Sequence, residues 1–249
     1  MSGSVQERLK GLIWTSPTVF VLDGVTFELI DWDLNHTADS YPVIKPRRLL
    51  DAYIETLAEG PNERVVELGI RFGGSSVFFN TLLRPRSMVC IDISKPAPPL
   101  EQYRATPAGA RLKAHYRTSQ DDEAALGAIL QAEMDGPLDL VVDDASHFYE
   151  ETKASFEILF PRLRPGGLYA IEDWSWAHHR GFTEWTDQPA LSNLIFQLMM
   201  IAAGHPDLIA GITVRPGVAF VRKGAAAAQP ERLAVESLCW MQNRAHQLL

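Results

Sequence analysis

The chain has 249 residues, 46% hydrophobic and 22% charged, which suffices for one full α/β domain with a substantial core and some appended structure. A formal net charge of −8 argues against nucleic acid as a partner, because nucleic-acid binders display a basic face that releases counterions, and it favours a small molecule. Two cysteines, Cys90 and Cys239, imply no disulfide framework, no apolar run reaches the length of a membrane span, and the start MSGSVQERLKG lacks a secretory pattern, so a cytoplasmic protein is expected.

Residues 18–22 and 25–30 are β-rich runs around Asp23-Gly24, a dipeptide that suits the positive φ angles of a tight turn, and they predict a hairpin. Residues 31–45 carry acids, His36, Tyr41 and Pro42 without clear periodicity; they form either a surface linker or a flap over the site that opens downstream. Pro46 suits the first turn of a helix whose apolar face is Leu49, Leu50, Tyr53, Ile54 and Leu57, and Gly60 ends it. From Val65 onward, apolar strands and helical stretches alternate at βαβ spacing, which predicts a mainly parallel sheet covered on both faces. Strands are expected at 65–68, 87–91, 112–116, 138–142 and 168–171, and helices at 75–83, 121–133 and 149–163; the stretch after Asp92 is too rich in proline to assign. Arg164-Pro165-Gly166-Gly167 reads as a sharp stop before the fifth strand. A helix at 189–203 follows, then an antiparallel hairpin of 208–214 with 218–221 around Arg215-Pro216-Gly217. Residues 225–228 read as a linker, and 230–249 as a terminal helix with Leu233, Leu238, Met241 and Ala245 for packing. The expected organisation is a hairpin and helix at 1–60, serving as a lid or as an interface in a homo-oligomer, a central domain at 61–224, and a helix at 225–249.

Two stretches carry the chemistry. The first is the run 65–76, an apolar strand that ends in Glu67 and breaks into the turn Gly69-Ile70-Arg71-Phe72-Gly73-Gly74-Ser75. Glycines let the backbone turn tightly and approach a ligand, and strand-end acids take hydrogen bonds from a ribose or an amine. Asp92, at the end of the next strand, stands where an acid can hold ribose hydroxyls. Arg71 occupies the place where a dinucleotide fingerprint needs its second glycine, so a pyrophosphate is disfavoured. The second stretch is a pair of strand ends: Asp143-Asp144-Ala145-Ser146-His147 and Glu172-Asp173 bring four carboxylates and a histidine to one sheet edge. Burying so many like charges is costly unless a cation neutralises them, and oxygen donors suit Mg²⁺ or another hard divalent ion; the alternative is a set of turn acids that face solvent separately. Spacing leaves open whether Asp143 or Asp144 faces the site, since neighbours on a strand point to opposite sides.

The strand succession with its closing hairpin resembles the class I S-adenosylmethionine-dependent methyltransferases over residues 65–223. The motifs Asp143-Asp144-Ala145-Ser146-His147, Ile171-Glu172-Asp173-Trp174 and the run 160–167 are similar to those of the metal-dependent macrolide-sugar O-methyltransferases of the mycinamicin and tylosin type, and of cephalosporin-pathway methyltransferases. The resemblance implies a Rossmann-like α/β fold with a mostly parallel seven-stranded sheet. It implies S-adenosylmethionine at Glu67, Gly69, Arg71, Gly73, Ser75, Asp92, Ser119, Gln120 and Asp143, with Ser119 and Gln120 beside the adenine. It further implies metal ligation by Asp144, Glu172 and Asp173, with His147 as general base. The amino-terminal third does not visibly match, so the identity of the acceptor is not carried over.

Trp174, Trp176, His178, His179 and Trp185 follow the fifth strand; they either cover the core or form a substrate lid whose aromatic faces suit a sugar. The function expected is metal-dependent methylation of a hydroxyl on a small molecule, such as a glycosylated natural product. The alternatives are a nucleotide-dependent oxidoreductase, which Arg71 and the closing hairpin oppose, and a non-catalytic cofactor-binding subunit.

Overall fold

The computed structural model describes residues 4–30, 39–58, 60–226, 231–239, 242, 244 and 246–249. A short helix α1 (Val5–Leu9) leads into a four-stranded sheet in sequential order, formed by β1 (Ile13–Trp14), β2 (Val19–Leu22), β3 (Val25–Leu29) and β4 (Tyr41–Val43). The expected hairpin is β2 and β3, paired antiparallel from Val19–Glu28 to Leu22–Val25, with Asp23 and Gly24 at φ 52° and 80° in the turn. Beyond it, β4 pairs parallel to β3, so the end of the 31–45 stretch is a strand and not a plain linker; His36 lies outside the described residues. Helix α2 (Arg47–Leu57) then starts at Pro46, whose extended ψ of 150° makes it the cap.

The main sheet contains β5 (Arg64–Leu68), β6 (Ser87–Asp92), β7 (Leu112–Tyr116), β8 (Leu138–Asp143), β9 (Leu163–Glu172), β10 (Ile209–Arg215) and β11 (Val218–Lys223). Its spatial order is β10-β11-β9-β8-β5-β6-β7; β5 through β9 run parallel, and β11 and β10 close it antiparallel. Helices α3 (Gly74–Leu83), α4 (Pro98–Arg104), α5 (Glu123–Glu133), α6 (Tyr149–Leu159) and α7 (Ser192–Gly204) make the crossovers and flanks. Strand alternation sorts the core into two layers: Val65, Leu140 and Val142 face α2, α3 and the N-terminal sheet, whereas Val66, Leu68 and Val141 face α6 and α7. β6 and β8 flank β5 on opposite sides, which is the place where an open α/β sheet forms its ligand crevice.

Two expectations change, and one unassigned stretch gains a helix. Arg164 to Gly167 lie inside β9, where the register slips between Leu138–Leu163 and Leu140–Leu168, so the Pro-Gly-Gly run forms a bulge rather than a stop. The stretch after Asp92 becomes α4, because Pro98 and Pro99 fit a helix's first turn, where no amide partner is needed. Within the expected terminal helix the described residues hold α8 (Val235–Leu238): Leu233 and Val235 pack on the α6–α7 layer, and the Leu249 backbone bonds Ala190 and Asn193. Met241 and Ala245 lie outside the described residues. Among the described residues, no helix is long and apolar enough to cross a membrane.

Candidate active site

The loop after β5 is shaped by close backbone approach. Gly69 has φ 90°, and a Cβ there would lie 1.9 Å from the Asp144 carbonyl oxygen, so the end of β5 and the end of β8 touch without a side chain between them. Gly73 caps α3 at φ 83° against Leu100, and Gly74 abuts the Pro42 carbonyl. Arg71 sits at φ 50° and is exposed, a left-handed conformation that few side chains adopt. Asp92 pins this loop: Oδ2 accepts the amides of Ile70 at 2.6 Å and Arg71 at 3.0 Å, and Oδ1 accepts that of Ser94 at 2.7 Å. Burial alone would raise the Asp92 pKa, and these donors turn the shift downward.

Glu67 is fully buried beneath the loop. One oxygen accepts from Ser76, while Oε1 has no partner among the described residues. Burial pushes its pKa up to about 6, against the serine hydrogen bonds that lower it. A buried, unpartnered carboxylate oxygen beside a glycine-rich loop fits a ligand that brings a donor.

The acid cluster lies across the same crevice. Asp144 follows β8, and its amide donates to the Leu68 carbonyl at 2.9 Å. Glu172 ends β9; Asp173 sits at φ 51°, its amide donating a hydrogen bond to the Gly217 carbonyl, in the turn between β10 and β11. His147, at φ 60°, places Nε2 3.9 Å from Asp144 Oδ1. Burial lowers its pKa more than Asp144 raises it, and the ring also hydrogen-bonds the Glu172 backbone, so the imidazole is neutral near pH ~7. Asp144, His147 and Asp173 each present a ligand atom within 4.8 Å of the others, a donor set that fits a divalent cation. Burial, and next the proximity of Asp144, raise the pKa of both Glu172 and Asp173.

Two residues invisible to motif reading complete the cluster. Lys45, 3% exposed, places Nζ 2.5 Å from Asp144 Oδ2 and 2.6 Å from Glu172 Oε2. The Tyr53 hydroxyl donates to the other Glu172 oxygen at 2.7 Å. Burial would lower the Lys45 pKa, but the two carboxylates more than reverse this, and the side chain is an ammonium. The available signal was a lone lysine between Val43-Ile44 and Pro46: a cation in an apolar stretch needs buried acids.

The expected residues divide. Glu67, Gly69, Arg71, Gly73, Ser75 and Asp92 gather at the loop; Asp144, His147, Glu172 and Asp173 gather at the cluster. Asp143 faces the opposite layer, where Ser155 at 2.5 Å, Tyr169 at 2.7 Å and Gln120 at 3.1 Å donate to it, and burial pushes its pKa up to about 6. Gln120 has both amide hydrogens in that network and its oxygen on the Ser146 amide, so it buttresses the β8 end from inside. Ser119 stands in the turn before α5, its carbonyl accepting the Asp122 amide.

Aromatic rings wall one side. Trp176 lies 4.5 Å from the His147 ring, stacks on Phe182 at 5.0 Å and meets Trp185 edge-on at 5.6 Å. Its side chain also hydrogen-bonds Asp173, and the Trp185 indole donates to the His147 carbonyl at 3.1 Å. These contacts join the segment after β9 to the site, whereas Trp174 turns away to the Arg215 carbonyl.

Residues 66–174 match a family described as a methyltransferase domain. The chain is 37% identical over 106 residues to mycinamicin VI 2''-O-methyltransferase of Micromonospora griseorubida, covering 36% of this chain and 27% of that one. It is 36% identical over 107 residues to demethylmacrocin O-methyltransferase of Streptomyces fradiae, with the same coverage. The solved structure of the MycE methyltransferase from the mycinamycin pathway, in complex with Mg, S-adenosylhomocysteine (SAH) and mycinamycin VI, superposes with a TM-score of 0.54 at 28% identity, over 74% of this chain and 51% of that one. The matches thus span about a quarter of the length of the curated relatives and half of MycE.

Proposed function

We propose that this chain, whose residues 66–174 match a methyltransferase domain, transfers a methyl group from S-adenosylmethionine to a hydroxyl of a sugar-bearing small molecule, with a divalent cation such as Mg²⁺ in the acid cluster. The observation that carries the reading is the double role of Asp144: its backbone packs on the Gly69 loop and its side chain enters the acid cluster. Donor and acceptor sites therefore share one residue, as in-line transfer requires the two reactants to be held together.

S-adenosylmethionine supplies the activated methyl; Glu67, Gly69, Gly73, Ser75 and Asp92 would hold it, the unpartnered Glu67 oxygen taking a donor. A bound divalent ion would be held by Asp144, Glu172 and Asp173 and would lower the pKa of an acceptor hydroxyl. His147, kept neutral by burial and oriented by the Glu172 backbone, accepts the hydroxyl proton. Trp176, Phe182 and Trp185 present flat faces suited to a pyranose ring. Relatives named as O-methyltransferases of mycinamicin VI, of demethylmacrocin and of a rhamnosyl tetracenomycin support this acceptor class.

Calorimetry with SAH and with NADH tests the cofactor, and labelled S-adenosylmethionine offered with macrolide glycosides, with and without EDTA, tests the acceptor and the metal. SAH binding, no NADH binding and EDTA-sensitive labelling are expected. Asp144→Asn should bind SAH as the parent does and lose at least ~100-fold in methyl transfer. NADH binding without SAH binding would sink the reading, and full turnover in EDTA would remove its metal part.

A further inference from the structure

The position bridging Asp144 Oδ2 and Glu172 Oε2 is already filled by a cation, the ammonium of Lys45. It reaches there from the bend between β4 and α2, beside the cofactor loop that packs on Pro42. The oxygens it bridges belong to two of the three residues expected to ligate metal, and Tyr53 donates to the remaining oxygen of Glu172. With Lys45 in place, the donors facing one another are Asp144 Oδ1, Asp173 and His147. Ligation by that set would take the histidine lone pair that proton removal needs. A cation held by Asp144, Glu172 and Asp173 leaves His147 free, but it needs the oxygens that Lys45 holds.

We propose that Lys45 Nζ and the divalent cation are alternative occupants of the position between Asp144 and Glu172, so that Lys45 neutralises the acids when metal is absent and withdraws when metal binds. This rests on the metal-dependent methyl-transfer reading and adds a residue to it. Two cations within ~4 Å of each other repel strongly in a site shielded from water, and one bridging position between two carboxylates admits one cation. Lys45 thereby sets the metal affinity, and metal occupancy is coupled to the segment that covers the cofactor loop.

Manganese binding followed by electron paramagnetic resonance, a readout independent of turnover, tests this on the full chain. Lys45→Met should bind Mn²⁺ at least ~10-fold more tightly than the parent, because the competing charge is gone. Lys45→Arg, which keeps a cation, should show no such gain. Glu172→Gln should weaken binding in both the parent and the Lys45→Met background. Circular dichroism and SAH calorimetry establish that each variant is folded; should Lys45→Met fail to fold, Lys45→Gln takes its place in the comparison. Unchanged or weaker Mn²⁺ binding on removal of Lys45 overturns the proposal, as does Mn²⁺ affinity indifferent to Glu172→Gln. Either result with SAH binding intact leaves the methyl-transfer reading standing, whereas a parent chain that binds no SAH removes that reading itself.

Discussion

Gly69 and Asp144 meet backbone to backbone, so closely that a methyl group on Gly69 would lie 1.9 Å from the Asp144 carbonyl oxygen. This contact ties the glycine loop after β5 to the strand end that starts the acid cluster. The first prediction tests it. Gly69→Ala combines a φ of 90° with that overlap, and should cost roughly 3 kcal/mol or more of stability. It should also lose SAH binding under conditions where the variant is folded. Urea denaturation and calorimetry measure both; parent-like stability would show that the two strand ends separate easily.

On the proposed reading, Glu67 sets stability against cofactor binding. Its pKa is about 6 in the fold and 4.5 ordinarily, so the folded state holds the proton more readily than the unfolded chain. Its stabilising contribution is therefore full below the ordinary value and is lost as pH rises through about 6. Glu67→Gln removes that loss, and should be more stable than the parent by about 2 kcal/mol near pH ~8, with no difference near pH ~4. The same variant should bind SAH more weakly, since the unpartnered oxygen no longer carries charge. Denaturation at the two pH values together with SAH titration checks the opposition; a stability difference independent of pH would refute it.

Asp92 holds three backbone amides, those of Ile70, Arg71 and Ser94. Asp92→Ala should leave the chain folded, remove hydrogen-exchange protection at Ile70 and Arg71, and weaken SAH binding. A direct ligand role without a role in loop order predicts the weaker binding but unchanged exchange, so the exchange pattern separates the two.

Trp176 links Asp173 and His147 through one side chain. On the proposed reading it positions both. Trp176→Phe keeps a ring against His147 but loses the hydrogen bond, and should lower kcat by about 10- to 100-fold with little change in KM for S-adenosylmethionine. A change confined to KM for the acceptor would instead mark Trp176 as a binding surface alone.

Much of this was readable from the chain. Local pattern gave the β2–β3 hairpin, since Asp23-Gly24 admits the left-handed φ values its turn requires, and strand alternation gave the parallel sheet, since buried strands are continuous apolar runs. The acids at the ends of β5, β6, β8 and β9 were legible for the same reason: a parallel sheet brings all its carboxyl ends to one edge. The bulge at Arg164 to Gly167 was not, because the residues that stop a strand also serve inside one when its neighbour's register slips.

What the sequence by itself determined is which strand ends carry acids and where the glycine loop after β5 lies. Only the tertiary structure decided which acids share a site. Asp143 and Asp144 are adjacent in the chain and face opposite layers, one into a sealed network with Tyr169 and Ser155, the other toward Lys45 and His147. Lys45 lies 99 residues from Asp144 and 127 from Glu172, and no local pattern records such a pairing. It exists because burying charge is tolerable only where opposite charges meet, and which charges meet is set by how the N-terminal segment packs on the sheet.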